Sequence, residues 1–450
     1  MNNLAFQAKN MLRNIKFLFP LKNQKLISTF AGISKNLNKN IMESIKMTSA
    51  DYIAREEKYG AHNYHPLPVV LERGEGVHVW DVEGKQYYDF LSAYSAVNQG
   101  HCHPKIVEAM KEQASILTLT SRAFYNNTLG EFEEYVTKLF GYDKVLPMNT
   151  GAEAVETALK LARKWAYKVK NIRSSDAKIV VCKNNFHGRT ITIISMSTDP
   201  DAYREYGPFT PGFVTIPYND IEALERELAY ADVAAFLVEP IQGEAGVFVP
   251  DDGYLKKVAQ LCKSHHVLFI GDEVQTGIAR TGKMLACDHE AVRPDILILG
   301  KAISGGTMPI SCVLADDEIM LTIKAGEHGS TFGGNPLASK VAIAALDVIK
   351  EEKLADNAEA MGIIFREEVA KIQTDMITLV RGKGLLNAVI IKPKDGKEAW
   401  DVCVAMAENG MLAKPTHGDI IRFAPPLIIN EQQIRECVSI FEKSLKQCEG

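Results

Sequence analysis

Two apolar segments of the sequence end in side chains that could do chemistry together. The first, VLFIG, runs into the acidic pair Asp272-Glu273, and the second, DILILG, ends at Lys301, twenty-nine positions after Asp272. Both segments have the composition of buried strands. A lysine at the end of such a strand is costly to desolvate unless it has a partner or a chemical role, although a single one can simply extend to solvent. Together the two endings predict a carboxylate and an amine in one site.

The cofactor pyridoxal phosphate (PLP) needs this combination of groups. It requires a lysine amine for covalent attachment, a carboxylate that keeps its pyridine nitrogen protonated, and groups that bind its phosphate. Lys301 and Asp272 would supply the first two. An apolar strand ending in Asp-Glu is also found in nucleotide hydrolases, but these need a G-x-x-x-x-G-K-[ST] loop, which the sequence lacks. The pattern therefore favours a PLP enzyme over an ATPase.

A phosphate site is predicted where a glycine turn opens a helix. The segment MNTGAEAVETALKLARKW begins with such a turn and continues with apolar residues at helical spacing. The backbone N–H groups and the helix dipole at Gly151 and Ala152 would attract an anion. Because many helices begin with Thr-Gly, this segment indicates a phosphate site only in combination with the others.

Two further turns carry side chains suited to the same cofactor. In FHGRT, Phe186 could stack on the cofactor ring and Arg189 could bind a carboxylate. In HGSTFGGNP, the hydroxyl groups of Ser330 and Thr331 lie in a glycine-rich loop that could hold a phosphate. Each turn alone could be an ordinary exposed loop. The two turns indicate a cofactor site only in combination with Lys301.

The segments that contain these residues alternate regularly between strand-like and helical patterns. Between about residues 145 and 315, β-rich runs such as AKIVVCK, AAFLVEP and DILILGK are separated by helical stretches. This alternation predicts an α/β fold with a mostly parallel sheet between helices. Ligands of such sheets bind at the carboxyl ends of the strands. Earlier in the chain, residues 77–90 predict a β-hairpin, and residues 103–117 and 129–141 predict helices.

The C-terminal part of the chain is predicted to form a second, smaller domain. Residues 339–372 have the pattern of one long helical run and lead to the strand-like segments LVRGKGLLNAVIIK and IIRFAPPLII. We expect a large domain over 99–342 and a smaller α+β domain over 343–450. Residues 48–98 are expected to pack with the small domain.

The first 42 residues differ in charge from the rest. They contain seven Lys or Arg and no Asp or Glu, so that the remainder of a chain with net charge −5 carries −12. An acid-free basic N-terminus is typical of mitochondrial targeting segments, and we expect a removable leader over 1–47 and a location in the mitochondrial matrix. A disordered basic tail or a nucleic-acid arm would have the same composition. The acidic body does not attract nucleic acid or anionic lipid.

Composition argues against a membrane span, a disulfide framework and a metal site. No stretch approaches the roughly 18 to 20 apolar residues of a membrane helix. The eight cysteines are scattered and form no CxxC motif. Histidine clusters such as His101-Cys102-His103 lack further ligands at metal-binding spacing. No resident metal is expected.

Several motifs resemble one known enzyme family. VLFIGDEVQTGIARTGK with DILILGKAISGG resembles the signature of the class III (ω-) aminotransferases, which are PLP-dependent transferases of fold type I. NTGAEAVETALKLAR, FHGRT, VEPIQGEAGV and GSTFGGNP match that family in order and spacing. The resemblance covers roughly residues 48–445. The blocks YNDIEALERELAYADVAAFLVEPIQGEAGV, RGKGLLNAVIIK and LAKPTHGDIIRFAPPL are similar to the ornithine aminotransferase branch.

The resemblance implies a homodimer with PLP at the subunit interface. It makes Lys301 the residue that attaches the cofactor and Asp272 the partner of its pyridine nitrogen. Thr331 would reach the phosphate from the other subunit. The remaining cofactor contacts implied are Phe186 against the ring, Gln275 near its phenolic oxygen, and Gly151, Ala152 and Ser330 around the phosphate.

The resemblance also implies where substrates bind. Tyr64 and Arg189 would hold the amino-acid end of ornithine away from the chemistry. Arg422 would bind the α-carboxylate of glutamate or 2-oxoglutarate, Glu244 would pair with Arg422 when ornithine is bound, and Tyr94 would line the pocket.

The reaction implied is transfer of the δ-amino group of ornithine to 2-oxoglutarate, giving glutamate 5-semialdehyde and glutamate. Another ω-aminotransferase, acting on N-acetylornithine or 4-aminobutyrate, and a non-catalytic PLP-binding protein stay open as alternatives. The chain has His187 and Ala152 where some relatives have tryptophan and valine. Neither difference removes a group that the chemistry requires.

Overall fold

The computed structural model describes residues 47–449 of the chain. The chain divides into two units, which meet in sequence between Val70 and Leu71. The predicted leader over 1–47 lies outside the described residues apart from Met47.

In its described part, the first unit contains the helix α1 (Ser49–Tyr59). The Thr48 hydroxyl accepts a hydrogen bond from the Asp51 N–H, and the Asp51 carboxylate accepts one from the Thr48 N–H. This reciprocal cap satisfies two donors at the start of the helix. The helix ends at Gly60, which has an extended backbone.

A four-stranded sheet lies at the start of the second unit. Its strands are β1 (Leu71–Glu75), β2 (His78–Asp81), β3 (Gln86–Asp89) and β13 (Met411–Leu412), in that order. Strands β2 and β3 pair antiparallel, which confirms the predicted hairpin. Strand β13 pairs parallel with β3, so residues from the C-terminal part of the chain complete this sheet.

The central sheet of the second unit has seven strands. They lie in the order β4 (Lys144–Met148), β10 (Ser311–Ala315), β9 (Ile296–Leu299), β8 (Leu268–Asp272), β7 (Val233–Val238), β5 (Lys178–Cys182) and β6 (Phe213–Ile216). The pairs β9–β8, β8–β7, β7–β5 and β5–β6 are parallel, and β10 runs antiparallel to both of its neighbours. The predicted mostly parallel sheet is therefore confirmed.

Helices cover both faces of the central sheet. They include α3 (Leu129–Phe140), α4 (Gly151–Lys168), α5 (Ile221–Leu228) and α6 (Tyr254–Ser264), whereas α2 (Pro104–Ala114) packs on the later helix Pro336–Glu351. Alternate residues of β5 point into different cores. Ile179 and Val181 join an apolar cluster with α4, and Val180 and Cys182 join another with α5 and α6. This alternation is the period-two pattern of a strand buried on both faces.

A third sheet and four helices complete the second unit. The sheet is antiparallel, with strands β11 (Ile377–Lys383), β12 (Leu386–Ile391), β15 (Ile420–Phe423) and β14 (Lys414–Thr416) in that order. The helices are α7 (Pro336–Glu351), α8 (Leu354–Val369), α9 (Ala399–Glu408) and α10 (Glu431–Glu449). A parallel-rich sheet with a smaller sheet region is the architecture that the sequence predicted.

The single helical run predicted over 339–372 is wrong in one respect. The structure divides it into α7 and α8, which are separated at Glu352 and Lys353. Lys353 has φ of 53°, a left-handed conformation that an α-helix cannot continue through. The apolar spacing continues across the break, so the pattern did not reveal it.

Short helical turns connect the longer elements of the described chain. They are Ser92–Ser95, Ile191–Ile194, Pro200–Tyr203, Ala286–Glu290, Lys301–Ser304 and Asp317–Met320. No helix among residues 47–449 is long and apolar enough to cross a membrane. Within the same residues, no group of three or more His, Cys, Asp or Glu is arranged to hold a metal ion.

Candidate active site

Three neighbouring strands of the central sheet end in ionisable residues at one edge. Strand β8 ends at Asp272, β9 is followed by Gly300 and Lys301, and β7 is followed by Glu239. These strands run parallel and lie side by side, so their carboxyl ends share one edge. The topology therefore brings Lys301 and Asp272 together, as the sequence predicted.

Lys301 is held in a strained conformation among other charges. Its φ of 45° lies in the left-handed region, which is uncommon for a residue other than glycine and is often found at functional sites. Burial and the nearby Arg422 guanidinium lower the pKa of Lys301 to about 8, against the opposing influence of Glu244 and Asp272. Its amine is therefore far more readily deprotonated than that of an ordinary lysine, as a nucleophile or a base requires.

The Asp272 carboxylate is fixed on both of its oxygens. His187 Nδ1 donates to Oδ2 at 2.6 Å, and the Val274 N–H donates to Oδ1 at 3.1 Å. Burial lowers the pKa of His187, but its hydrogen bond to Asp272 and the charge of that carboxylate outweigh burial, so the pKa is raised. The other ring nitrogen, Nε2, is buried and has no hydrogen-bond partner among the described residues. The arrangement presents a buried, oriented anion, which suits a protonated pyridine ring.

The start of α4 lies beside Lys301. A methyl group added at Gly151 would come within 3.0 Å of Val274 Cγ1, and one added at Gly300 within 3.1 Å of the same atom. The first-turn N–H groups of a helix lack intrahelical partners and attract an anion. Asn149 Nδ2 donates to Ser330 Oγ at 2.8 Å, which places the Ser330 hydroxyl at this helix start. These groups fit the phosphate of PLP.

The turn that carries Phe186 packs on the same helix start. Gly188 has φ of 133°, and a methyl group added there would come within 3.0 Å of Ala152 Cβ. Phe186 is half-buried, and the Arg189 guanidinium carbon lies 5.7 Å from the centre of its ring. Phe186, Ala152 and Arg189 are thus brought together, as expected.

Arg422 is buried on strand β15 and is surrounded by acceptors. Its Nη1 donates to Glu244 Oε2 at 2.9 Å, and to Gly243 O and Gln275 Oε1 at 3.3 Å each. Its guanidinium carbon lies 4.6 Å from the centre of the Tyr94 ring. Although burial alone would raise the pKa of Glu244, the charge and hydrogen bond of Arg422 lower it overall. The predicted Arg422–Glu244 pair, Gln275 and Tyr94 therefore form one cluster.

Tyr94 reaches Arg422 from an unusual turn. All four residues of Ser92–Ser95 have positive φ, between 45° and 73°, and none is glycine. The Asp89 carboxylate accepts hydrogen bonds from the N–H groups of Leu91 and Ser92 and so holds the start of this turn. Such backbone strain persists only where the surrounding structure determines it. Nothing in the sequence indicates the turn, because its residues are not those that favour positive φ.

For two predicted site residues the role stays a prediction. Tyr64 belongs to the first unit, and its role in substrate binding stays a prediction. Thr331 is exposed, next to Ser330 in the glycine-rich loop, and its contact across a subunit interface also stays a prediction.

Two residues at the site were not predicted to have a role there. In the sequence His187 is only a difference from some relatives, and no role is predicted for Glu239. Burial raises the pKa of Glu239 to about 7, with His187 opposing and Asp272 adding to this rise. The sequence does contain a signal for Glu239, because the apolar run of AAFLVEP ends in an acidic residue, as the run of VLFIGDE does.

A parallel-rich sheet that gathers a lysine, an oriented carboxylate and an anion-binding helix start at one edge defines a PLP-dependent transferase. The family model described as aminotransferase class III matches residues 59–445, and the chain belongs to this PLP-dependent family. The predicted family and fold class are confirmed.

Curated relatives in animals are highly similar to this chain. The ornithine aminotransferase of Rattus norvegicus, named as mitochondrial, is 66% identical over 88% of this chain and 91% of its own length. The ornithine aminotransferase of Drosophila melanogaster, also named as mitochondrial, is 64% identical over 87% of this chain and 90% of its own length. The similarity therefore covers most of this chain and most of each relative.

Solved structures share the fold. An ornithine aminotransferase from Toxoplasma gondii, described with partial occupancy of PLP at its active site, has a TM-score of 0.89 and 50% identity, covering 92% of this chain and 98% of its own. An acetylornithine aminotransferase from Elizabethkingia anophelis has a TM-score of 0.82 and 62% identity, covering 89% and 100%. Both of these similar structures are of aminotransferases.

Proposed function

We propose that this enzyme transfers the δ-amino group of L-ornithine to 2-oxoglutarate, giving glutamate 5-semialdehyde and L-glutamate. The similarity to proteins named ornithine aminotransferase supports this substrate. The observation that carries the proposal is the Arg422–Glu244 pair, which shares the site with Lys301.

The Arg422–Glu244 pair concerns two substrates that bring opposite charges to the reacting position. Ornithine must bring a cationic side-chain end to the reacting position, whereas 2-oxoglutarate must bring a carboxylate next to its reacting carbon. A bare Arg422 would bind any α-carboxylate and would draw ornithine in with its α-amine at the reacting position. Paired with Glu244, Arg422 is masked for ornithine, and the acceptor displaces Glu244 to reach the guanidinium. One site can then serve both substrates.

The far end of ornithine would be held by two groups. Arg189 is exposed beside Phe186 and would bind the α-carboxylate of ornithine through a charge-assisted hydrogen bond. Tyr64, from the first unit, would contact the same end. Tyr94 lies against the Arg422 guanidinium and would line the pocket near the reacting carbon.

The cofactor would be held by the residues at the sheet edge. Lys301 would attach it, Asp272 would keep its pyridine nitrogen protonated, and Phe186 and Gln275 would contact the ring. Gly151, Ala152, Ser330 and the partner subunit's Thr331 would bind the phosphate. When bound, PLP supplies the electron sink that takes up the electron pair left when a substrate C–H proton is removed. The Lys301 amine, whose pKa is lowered to about 8, would remove that proton and return it.

The exposed aromatic residues of the second unit support a homodimer. Phe124 is 74% exposed, Phe332 is 57% exposed, and Tyr125 is fully exposed. Exposed large apolar side chains often mark a protein interface. Thr331 adjoins Phe332, so a partner that covers Phe332 would also lie close to Thr331. Tyr125→Glu should shift the protein from dimer to monomer in sedimentation and weaken PLP binding, and an unchanged dimer would exclude this surface.

The domain division and the location follow the sequence predictions. We propose a large domain over 99–342, a small domain over 343–450 with residues 48–98 packed on it, and a leader over 1–47 that directs the enzyme to the mitochondrial matrix. The names of the rat and fly relatives support the mitochondrial location. Deletion of residues 1–42 should leave activity unchanged and move the protein to the cytosol. A truncated protein that still reached mitochondria would contradict this.

A second donor, N-acetylornithine, is favoured by one observation, the 62% identity with an acetylornithine aminotransferase. A coupled assay with ornithine, N-acetylornithine and 4-aminobutyrate as donors, each with 2-oxoglutarate, decides between them. We expect kcat/KM to be highest for ornithine. A higher value for either of the other donors, or no turnover with any, would overturn the proposed function.

A further inference from the structure

Glu239 lies between two turns of the site that come from different parts of the chain. It follows strand β7 and is almost fully buried. One turn, FHGRT, carries Phe186, and the other, QGEAG, carries Glu244. A buried carboxyl group is costly unless it is hydrogen-bonded or has a role, so its contacts identify what it does.

The two carboxylate oxygens of Glu239 hold these two turns by their backbones. The Phe186 N–H donates to Oε1 at 2.8 Å, and the Gly243 N–H donates to Oε2 at 3.4 Å. The Tyr218 hydroxyl contacts Glu239 O at 3.2 Å and Pro240 O at 2.9 Å, which fixes the backbone of Glu239 itself. A second link, from Gln242 Nε2 to Lys183 O at 2.8 Å, joins the same two segments.

Each turn leads directly to a group that contacts a ligand in the proposed function. Phe186 would contact the cofactor ring. Gly243 O accepts from Arg422 Nη1, and the next residue, Glu244, pairs with Arg422. Gly243 is also tightly placed, because a methyl group added there would come within 1.9 Å of Gln275 Oε1. A small displacement of Gly243 would therefore change every acceptor around Arg422.

We propose that the Glu239 carboxylate is a positioning group that couples the Phe186 turn to the Gly243–Glu244 turn, so that the cofactor ring contact and the masking of Arg422 are set together. This inference rests on the proposed function, because the ring is that of PLP and the masking concerns ornithine. Glu239 would touch neither substrate nor cofactor, and its effect would pass through the two backbones that it holds.

The test compares three variants. Glu239→Ala removes both acceptors. Glu239→Gln keeps a carbonyl oxygen for the shorter bond to the Phe186 N–H and turns an amide N–H₂ toward Gly243. Asp295→Asn is the matched control, because Asp295 also accepts from a backbone N–H, that of Phe269 at 2.8 Å, but at the opposite edge of the same sheet. The measurements are the dissociation constant of PLP, the ratio of α- to δ-transamination of ornithine, and the thermal unfolding midpoint.

We expect Glu239→Ala to weaken PLP binding about ten-fold and to raise the α to δ ratio at the same time, as loss of a buried hydrogen-bonded partner predicts. Glu239→Gln should raise the ratio while PLP affinity stays unchanged. Asp295→Asn should lower only the unfolding midpoint.

The coupling would be disproved if Glu239→Ala moved only the unfolding midpoint, or only one of the other two quantities. If Glu239→Ala does not fold, Glu239→Gln decides, and an unchanged ratio in that variant overturns the proposal. If the unsubstituted enzyme does not use ornithine, the proposed function fails separately. In that case the rate of the half-reaction with glutamate is measured in place of the α to δ ratio. This rate should be higher in Glu239→Gln than in the unsubstituted enzyme. An unchanged rate would count against the coupling.

Discussion

The His187–Asp272 pair and the Arg422–Glu244 pair are similar in geometry and differ in access to solvent. Their N–O distances are 2.6 and 2.9 Å. The side chains of the first pair are 1% and 5% exposed, whereas in the second Arg422 is 3% and Glu244 is 31% exposed. Only Glu244 can exchange its partner for water. The His187–Asp272 pair is therefore suited to stay closed, whereas the Arg422–Glu244 pair can open.

This contrast matches the two tasks of the site. Removing one member of a buried pair leaves an uncompensated charge in a poorly hydrated place, which is strongly unfavourable, so Asp272 keeps His187 at all stages. Glu244 can leave Arg422 because solvent receives its carboxylate. Under the proposed function, the cofactor half of the site is constant and the substrate half changes between the two substrates. Lys301 lies in the field of both pairs.

The largest effect is expected for Lys301→Ala, because both pairs act on a lysine that no other residue can replace. Turnover and the visible absorbance of the bound cofactor should both be lost. Absorbance spectroscopy and a transamination assay measure them on the same sample. A variant that kept both would remove Lys301 from its role and leave the two pairs without a common target.

Asp272→Asn would break the closed pair while leaving its shape intact. The variant should still bind PLP but lose activity by about 10² to 10³-fold, because a neutral amide cannot stabilise a protonated ring as charge develops. Steady-state kinetics with saturating PLP measure the loss. Near-normal rates in that variant would show that the carboxylate charge is not needed.

His187 should have a smaller effect, since it acts on the cofactor through Asp272. His187→Phe should weaken PLP binding about ten-fold, because one oxygen of Asp272 loses its hydrogen-bond donor. His187→Asn keeps a donor near the position of Nδ1, so its PLP affinity should lie between that of His187→Phe and that of the unsubstituted enzyme. The control is His289→Gln, which removes a half-buried imidazole that contacts Thr281 O at 2.9 Å, away from the site. Equal affinities for His187→Phe and the unsubstituted enzyme would contradict this role.

The pH dependence of cofactor uptake should show the smallest effect. Only the neutral amine of Lys301 attacks the cofactor aldehyde, and the pKa of Lys301 is lowered to about 8, so the uptake rate should rise with pH and reach half its maximum near pH 8. The Glu244 carboxylate raises the pKa of Lys301, so the midpoint should move to lower pH in Glu244→Gln. Stopped-flow absorbance of cofactor-free enzyme mixed with PLP measures both midpoints. A midpoint near that of an ordinary lysine would contradict the argument.

The sequence predicted the cofactor half of the site, around Lys301 and Asp272, better than the substrate half, around Arg422 and Glu244. Lys301 and Asp272 each end an apolar strand, and parallel strands bring such endings together wherever they lie in the chain. Arg422 and Glu244 are 178 positions apart in the sequence. Arg422 lies on strand β15 of the third sheet, whereas Glu244 lies in a turn that follows strand β7 of the central sheet. Their pairing was implied only by resemblance, because no local pattern records a contact between distant segments.

Local conformation was the other limit. The break at Lys353 and the left-handed turn at Ser92–Ser95 use residues that do not favour positive φ, so tertiary contacts rather than sequence determine them. Glu239, in contrast, follows an apolar strand as Asp272 does and could have been predicted by the same rule.

The proposed function requires the Arg422–Glu244 pair to open for 2-oxoglutarate or glutamate and to stay closed for ornithine. The variant Glu244→Ala removes the pair and so tests this requirement. A charge-assisted pair of this kind is worth about 1.5–3 kcal/mol, so the glutamate half-reaction should become roughly ten- to a hundred-fold faster and the share of ornithine that reacts through its α-amine should rise. Stopped-flow measurement of both half-reactions, with identification of the products, gives both quantities. An unchanged glutamate half-reaction together with unchanged partitioning of ornithine would contradict the claim.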